Sequence, residues 1–436
     1  MQPPPIPQAG AAPPRLPRWE VADILRTYGA AYLRQYPVSA TQRKAIDAIL
    51  ACRTAVLGGH VELCDTCDYQ RIAYNSCRNR HCPKCQALAQ ARWLARRQEY
   101  LLPVSHFHVV FTLPAELRPL LLRNPRLLYG LLFSTATQTL LDFGRDPKHL
   151  GAQLGITAVL HTWSRTLAYH PHLHCIVTGG GLSLDQERWV PTHQRGRFLF
   201  PVKALAKVFR ARFLCAVRQL YQRKALNLSG PCTPWQQGPA FDALLQALYM
   251  QDWHVYAKRP FGGAEQVYAY LGRYTHRVGL SNHRLRDVSD QGVRFATKQG
   301  QECTLTPLEF LRRFLLHVLP TGFVKIRHYG LFAGSNVKTK LVRAQRLLTH
   351  PRATPSPAVE ALPLAQPSLS PAAQAEALHP GLVAEVLRLT GQDLTRCPQC
   401  RQGLLRRVSI GAPVQRRSSG ALVSRPLSAG TMTDSS

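Results

Sequence analysis

Apolar residues recur every three to four positions in WEVADILRTYGAAYLRQY (19–36) and SATQRKAIDAILACRT (39–54). That spacing puts them on one face of a helix, and Ser39 is placed to cap the second. QALAQARWLARRQEYLL (86–102) keeps the period on a basic background and predicts a third helix. At SHFHVVFTLP (105–114) the period falls to two. Phe107, Val109, Phe111 and Leu113 share one face and His106, His108, Val110 and Thr112 the other, which predicts a strand with a core side and a wet side. Helical sequence, including PRLLYGLLFSTATQTLLDF, follows to about residue 143, and ITAVLHTWSRTLAYHPHLHCIVTGGGL (156–182) predicts two strands joined by a short connection. Residues 201–225 read as a helix, FGGAEQVYAYLGRYTHR (261–277) as a Gly-preceded helix, and 278–296 and 302–308 as strands or hairpins. Short strands mixed with helices, without strand–helix alternation, predict an α+β fold around a central antiparallel sheet with flanking helices.

Composition divides the chain further. The Pro-rich residues 1–18 read as a disordered N-terminus, 19–102 as a helical, zinc-ribbon-like module, 103–345 as the main domain, 346–385 as a Pro/Ala linker, and 386–436 as a segment with CPQC followed by a mobile tail. Without an apolar run of about eighteen residues or the apolar core of a signal peptide, the expectation is a cytoplasmic protein that does not engage a membrane.

Charge changes the picture. Fifty-five Lys plus Arg against 24 Asp plus Glu leave a net +31. A field of that sign selects polyanions, and nucleic acid before acidic metabolites. A genome that favours Arg over Lys explains the choice of base but not the shortage of acids.

Twelve cysteines are present, and five fall within the 22 residues from Cys64 to Cys85, a clustering that points to metal rather than disulfides. Cys64-x2-Cys67 and Cys82-x2-Cys85 lie fourteen residues apart, and two such turns brought together give the closed four-sulfur site that structural Zn²⁺ favours. Cys77, His81 and His60 are left over, with Cys52 not far upstream; they can support a second zinc ion or replace one thiolate. Cys397-Pro-Gln-Cys400 is half a site, either decayed or completed from elsewhere. Arg78, Arg80 and Lys84 beside the knuckles are candidates for DNA contact.

In HPHLHCIVTGGG an extended chain projects His170, His172 and His174 to one face and Leu173, Cys175 and Val177 to the other. Two imidazoles two apart on a strand can grip one cation, while the HExxH helix of a zincin is absent. A hundred residues on, YAYLGRYTHR sets Tyr270 and Tyr274 four apart, so on a helix both hydroxyls point the same way, with Arg273 and Arg277 nearby to contact DNA. Tyrosine is a weak nucleophile at its free pKa of about 10, but a cation on the scissile phosphate offsets this. Attack on DNA would store the bond as phosphotyrosine and release a 3′-hydroxyl.

FTLP, HPHLH and YLGRY together resemble the three motifs of HUH single-strand endonucleases, and with CDTC…NSCRNRHCPKCQ upstream the chain, over residues 20 to 345, resembles the bacterial rolling-circle insertion-sequence transposases of the two-tyrosine type. The resemblance implies a zinc-binding DNA-docking domain ahead of an HUH transposase domain. It implies that His172 and His174 bind catalytic Mg²⁺ or Mn²⁺, with a third ligand among His108, His170 and His276. It further implies that Tyr270 and Tyr274 are nucleophiles, one cleaving the donor end and the other serving a second cleavage or strand transfer. Imidazole ligands suit Mn²⁺ better than Mg²⁺. The expected partners are single-stranded or hairpin element ends and target DNA, in a bacterial cytoplasm at the nucleoid or a plasmid; the oligomeric state stays open. A plasmid rolling-circle replication initiator is the alternative within this chemistry, and the zinc module favours the transposase. From other classes come a zinc-dependent DNA-binding protein that does not cut, its tyrosines packed in a core, and a small-molecule metallohydrolase, which the +31 charge opposes.

Overall fold

The computed structural model describes residues 17–192, 198–258, 279–297, 300–349, 380–391 and 393–410. In chain order the elements are α1 (Val21–Gln35), α2 (Ala40–Ala51), β1 (Gly59–Cys64), β2 (Gln70–Tyr74), α3 (Ala87–Glu99), β3 (His106–Thr112), α4 (Arg118–Arg123), α5 (Pro125–Arg145), β4 (Ala152–Gln153), β5 (Gly155–Trp163), β6 (Tyr169–Thr178), β7 (Gly180–Ser183) and β8 (Trp189–Pro191). They continue as α6 (Val202–Gln222), α7 (Gly238–Met250), β9 (Val255–Lys258), β10 (Leu285–Ser289), β11 (Gly292–Ala296), β12 (Glu302–Leu305), α8 (Pro307–Leu316), β13 (Ile326–Gly330), α9 (Lys340–Thr349), α10 (Pro380–Thr390) and β14 (Leu405–Ile410). None of the helices among the described residues is long and apolar enough to cross a membrane. The helix expected over 261–277 lies outside the described residues.

The α+β expectation holds. A five-stranded sheet in the order β13-β5-β6-β3-β9, antiparallel throughout, forms the centre. Its two faces follow from the period of two. On one face Phe107, Val109 and Phe111 of β3, Ile156, Ala158 and Leu160 of β5, and Leu173, Cys175 and Val177 of β6 are buried in the largest apolar cluster. Leu132, Phe133 and Leu140 of α5, Phe209 and Phe213 of α6, and Phe241 and Leu245 of α7 close over it. Each fully buried side chain of this kind contributes roughly 1.5–3 kcal/mol relative to exposure, so this face anchors the sheet.

The other face departs from expectation. His106 and His108, assigned to a wet side, are 0% and 7% exposed. The reason is that β3 is an inner strand, between β6 and β9, and its second face is covered as well: His108 lies against His174 of β6. Along that same face of β5 and β6, Trp93 and Leu94 of α3 pack on Val159 and Ile176.

Locally the N-terminal helices form as read. Ser39 Oγ accepts from the Gln42 amide at 3.2 Å while the Gln42 side chain accepts from the Ser39 amide at 2.8 Å, a reciprocal capping box. Their apolar faces do not close on each other alone. Val21, Ile24, Leu25, Ile46 and Ile49 share one buried cluster with Leu285 and Phe295 of the β10-β11-β12 sheet and with Phe310 and Phe314 of α8. Residues from both sides of the 102/103 boundary thus contribute to a common core.

Finally, Leu405–Ile410, within the segment assigned to a mobile tail, forms β14 and pairs with β1. That correction has a physical cause, the open edge that β1 presents once β2 covers only its other side.

Phe111→Ala should lower stability by about 3–5 kcal/mol, since it removes a fully buried ring that meets Phe209 edge-on at 5.0 Å. A lower urea midpoint at unchanged zinc content is the expected reading.

Candidate functional site: an imidazole cluster and two cysteine clusters

The antiparallel register places His161 of β5 opposite His172 of β6, and Val159 opposite His174. One ring nitrogen from each of His161, His172 and His174 lies within 4.8 Å of the others. The Nδ1–H of His172 donates to the carbonyl of His170 at 2.7 Å, which leaves Nε2 as the lone-pair nitrogen. Burial drives His161 well below the ordinary histidine range, helped by the charges of His172, Lys325 and His108, and brings His172 down to about 4. These rings are therefore neutral near pH 7, the state in which imidazole binds a cation.

The expected third-ligand candidates fall differently. His108 Nε2 is 2.7 Å from His174 Nδ1 and the two rings stack at 4.9 Å, so His108 stands behind His174 and orients it rather than joining the converging nitrogens. The His170 ring sits 5.2 Å from that of His172 but is not part of the three-nitrogen group. His276 lies outside the described residues, as do Tyr270, Tyr274, Arg273 and Arg277. His161 is the member that reading along one strand misses. Counting back across the β5–β6 hairpin from His172 reaches it, so the signal was present in the predicted pair of strands.

The imidazoles open into a cavity of about 440 Å³ that Arg165, Arg284 and Gly279 also line. Arg284 donates to the carbonyls of Gly279 at 2.7 Å, Ala296 at 2.7 Å and Arg165 at 3.1 Å, tying three segments together at the rim. Gly279 approaches so closely that a Cβ there would fall 2.3 Å from the Trp163 ring. Lys258 of β9 is the register partner of His108, and Gly279 lies on this rim.

The cysteines do not form the single site expected of Cys64, Cys67, Cys82 and Cys85. Cys82 and Cys85 meet Cys52 and Cys77, and Cys64 and Cys67 meet Cys397 and Cys400, with all sulfurs of each group within 4.8 Å of one another. The division follows from the hairpin. β2 has five residues and carries the chain away from Cys67 by about 17 Å at roughly 3.4 Å per residue, so Cys77 lies at the opposite end. Cys52 to Cys85 is 3.4 Å and Cys77 to Cys85 is 3.6 Å, far beyond the disulfide length of about 2.05 Å and near the roughly 3.8 Å edge of a tetrahedral zinc–thiolate site. His60 and His81 belong to neither group. His60 Nε2 faces Glu62 at 3.4 Å, and His81 Nε2 accepts from the Leu319 amide at 3.2 Å.

Of the basic residues near the knuckles, Arg78 is exposed. Arg80 donates to the carbonyls of Phe323 and Pro320, at 2.5 and 3.1 Å, and Lys84 pairs with Glu20 at 2.7 Å. Arg80 thus ties the module to the loop ahead of β13, while Lys84 makes its ion pair within the module.

Two family models match the chain: one described as "Transposase zinc-binding domain" over residues 24–113, and one described as "Putative transposase" over residues 155–340. The first spans Cys52, Cys77, Cys82 and Cys85; the second spans the three converging histidines and residues 270 and 274. "Putative transposase y4qJ" of Sinorhizobium fredii is 43% identical over 399 residues, which cover 90% of this chain and 95% of that protein. "Transposase for insertion sequence element IS801" of Pseudomonas savastanoi pv. phaseolicola is 28% identical over 338 residues, 75% of this chain and 79% of that protein. No solved structure matches the chain significantly. Identity of this extent over nearly full length, with both family models in place, means that the chain belongs to the rolling-circle insertion-sequence transposases that carry an N-terminal zinc-binding domain.

Proposed function

We propose that this transposase is an HUH-type enzyme, which nicks one DNA strand and passes it to a target through tyrosine. The observation that carries the reading is the convergence of His161, His172 and His174 on a cavity that Gly279, just after the segment bearing Tyr270 and Tyr274, also lines. His161, His172 and His174 form the ligand set, with His108 fixing the His174 ring. Three imidazoles fit a divalent transition ion, and the donor set favours Mn²⁺ over Mg²⁺. A cation bound there supplies polarisation of the scissile phosphate.

The chain's own residues do the rest. The phenolic oxygen of one tyrosine attacks phosphorus, the bond from phosphorus to the 3′-oxygen breaks, and that oxygen leaves with a proton as a 3′-hydroxyl. The strand stays joined to the protein through its 5′-phosphate. Attack by a 3′-hydroxyl on this ester reverses the chemistry at a new junction and frees the tyrosine without ATP, while the second tyrosine serves another cleavage. Exposed Arg165 at the cavity mouth and Arg78 at the knuckle are positioned for phosphate contacts, with Arg273 and Arg277 assigned the same role beside the tyrosines. Single-stranded or hairpin element ends are the substrates of this reading. Cys52, Cys77, Cys82 and Cys85 hold structural Zn²⁺, whose knuckle is fixed to the loop ahead of β13 by Arg80 and His81.

With Mn²⁺ and single-stranded oligonucleotides tiled across the element ends, a covalent protein–DNA adduct should form on the 5′-phosphate side of the nick. It should vanish in the Tyr270→Phe/Tyr274→Phe double variant; denaturing gel electrophoresis of 5′- and 3′-labelled strands reads it, and absence of adduct on every oligonucleotide overturns the enzyme reading. His161→Ala should weaken Mn²⁺ binding and cut adduct formation by at least the effect of His108→Ala, for which loss of an orienting partner predicts about 10–100-fold. Titration followed by electron paramagnetic resonance of free Mn²⁺ gives the affinities.

A further inference from the structure

The last described strand completes the first sheet of the chain. β14 pairs with β1 from Gly59 opposite Ile410 through Cys64 opposite Leu405. This register brings Cys397-Pro-Gln-Cys400 against Cys64-Asp-Thr-Cys67. Cys64 Sγ lies 3.7 Å from Cys400 Sγ, and Cys67 Sγ lies 3.7 Å from Cys397 Sγ. Sulfurs at that separation are unbonded to each other and match the edges of a zinc tetrahedron, about 3.8 Å for a Zn–S distance of about 2.3 Å.

The surrounding contacts are those of two facing zinc knuckles. The Thr66 amide points to Cys64 Sγ at 3.4 Å, and the Gly403 amide to Cys400 Sγ at 3.3 Å. Across the pair, the Asp65 amide donates to the Leu404 carbonyl at 3.1 Å, and the Leu404 amide donates to the Asp65 carboxylate at 2.7 Å. Gly403 closes on the site so tightly that a Cβ would sit 2.4 Å from Cys64 Sγ. Beside it, Glu62 is 2% exposed and accepts from Arg71 of β2 at 2.6 Å and Arg407 of β14 at 2.8 Å, which locks the three strands in register. Farther back, Arg92 of α3 pairs with Glu385 of α10.

We propose that Cys64, Cys67, Cys397 and Cys400 bind a second zinc ion, which clasps the C-terminal segment to the N-terminal hairpin and closes the chain around the sheet between them. Four soft thiolates select zinc over hard cations such as Mg²⁺. The matched zinc-binding region ends at residue 113 and holds only half of these ligands, so the metal ties that module to a part of the chain more than 280 residues beyond it. The clasp stands apart from the chemistry assigned to the histidines.

The test uses the full chain with a protease recognition sequence inserted between Glu360 and Ala361. After cleavage, the C-terminal fragment should co-elute with the remainder in size-exclusion chromatography and separate once zinc is removed by 1,10-phenanthroline. In parallel, metal analysis should find one equivalent of zinc fewer in C397S/C400S than in the parent chain, and the same deficit in C64S/C67S. Separation of the fragment from zinc-loaded protein, its retention after complete chelation, or equal zinc in parent and variants would overturn the clasp. The cleavage arm keeps all native cysteines and decides the matter even where a variant fails to fold.

Discussion

The antiparallel register of β5 against β6 sets His161 opposite His172 and turns both, with His174, away from the apolar core. Side chains alternate along a strand, so a slip of one residue would drive His161 into the space of Leu160 and expose Leu160 in the cavity. What prevents the slip is the opposite face of the same strands. Ile156, Ala158, Leu160, Leu173, Cys175 and Val177 are buried beneath α5 and α6, and at roughly 25 cal/mol per Å² of apolar area their burial dominates the preference for one register. The imidazole cluster is therefore held in place by residues that never touch it, and its polarity is tolerated because burial keeps His161 and His172 neutral and hydrogen bonds hold the rings: His172 to the His170 carbonyl, His174 to His108.

The cysteine-rich module is joined to that sheet by directed bonds. Arg80 and His81, sitting immediately before Cys82, reach Pro320, Phe323 and Leu319 in the loop that feeds β13, and β13 pairs with β5 beside His161. The knuckle is thereby bonded to the loop that leads into an edge strand of the histidine-bearing sheet. A module read from its composition as a basic docking arm is, in its arginines, partly a brace.

Much of this was legible in the sequence because it is local. The capping box at Ser39, the period of two at 105–114 and 170–178, and the helical period at 19–54 each concern residues within one turn or one strand. The imidazole pair His172 and His174 was visible for the same reason. What escaped was set by pairing between strands. His161 enters the site only through the β5–β6 register, His106 and His108 are buried because β3 is an inner strand, and the two CxxC motifs part company because β2 intervenes. Proximity in sequence suggested that Cys64, Cys67, Cys82 and Cys85 belong together; five residues of extended chain were enough to assign them to different partners. The tyrosines were legible from helical spacing alone, Tyr270 and Tyr274 lying four apart.

The pairing of β14 with β1 also orders events in time. The hairpin of β1 and β2 emerges first from the ribosome, but one edge of β1 and the second half of its cysteine group are supplied by residues 397–410. The earliest sheet to be synthesised is the last to be completed. A polypeptide that stops short of those residues keeps every histidine of the cavity yet leaves one edge of β1 unpaired and half of that cysteine group missing.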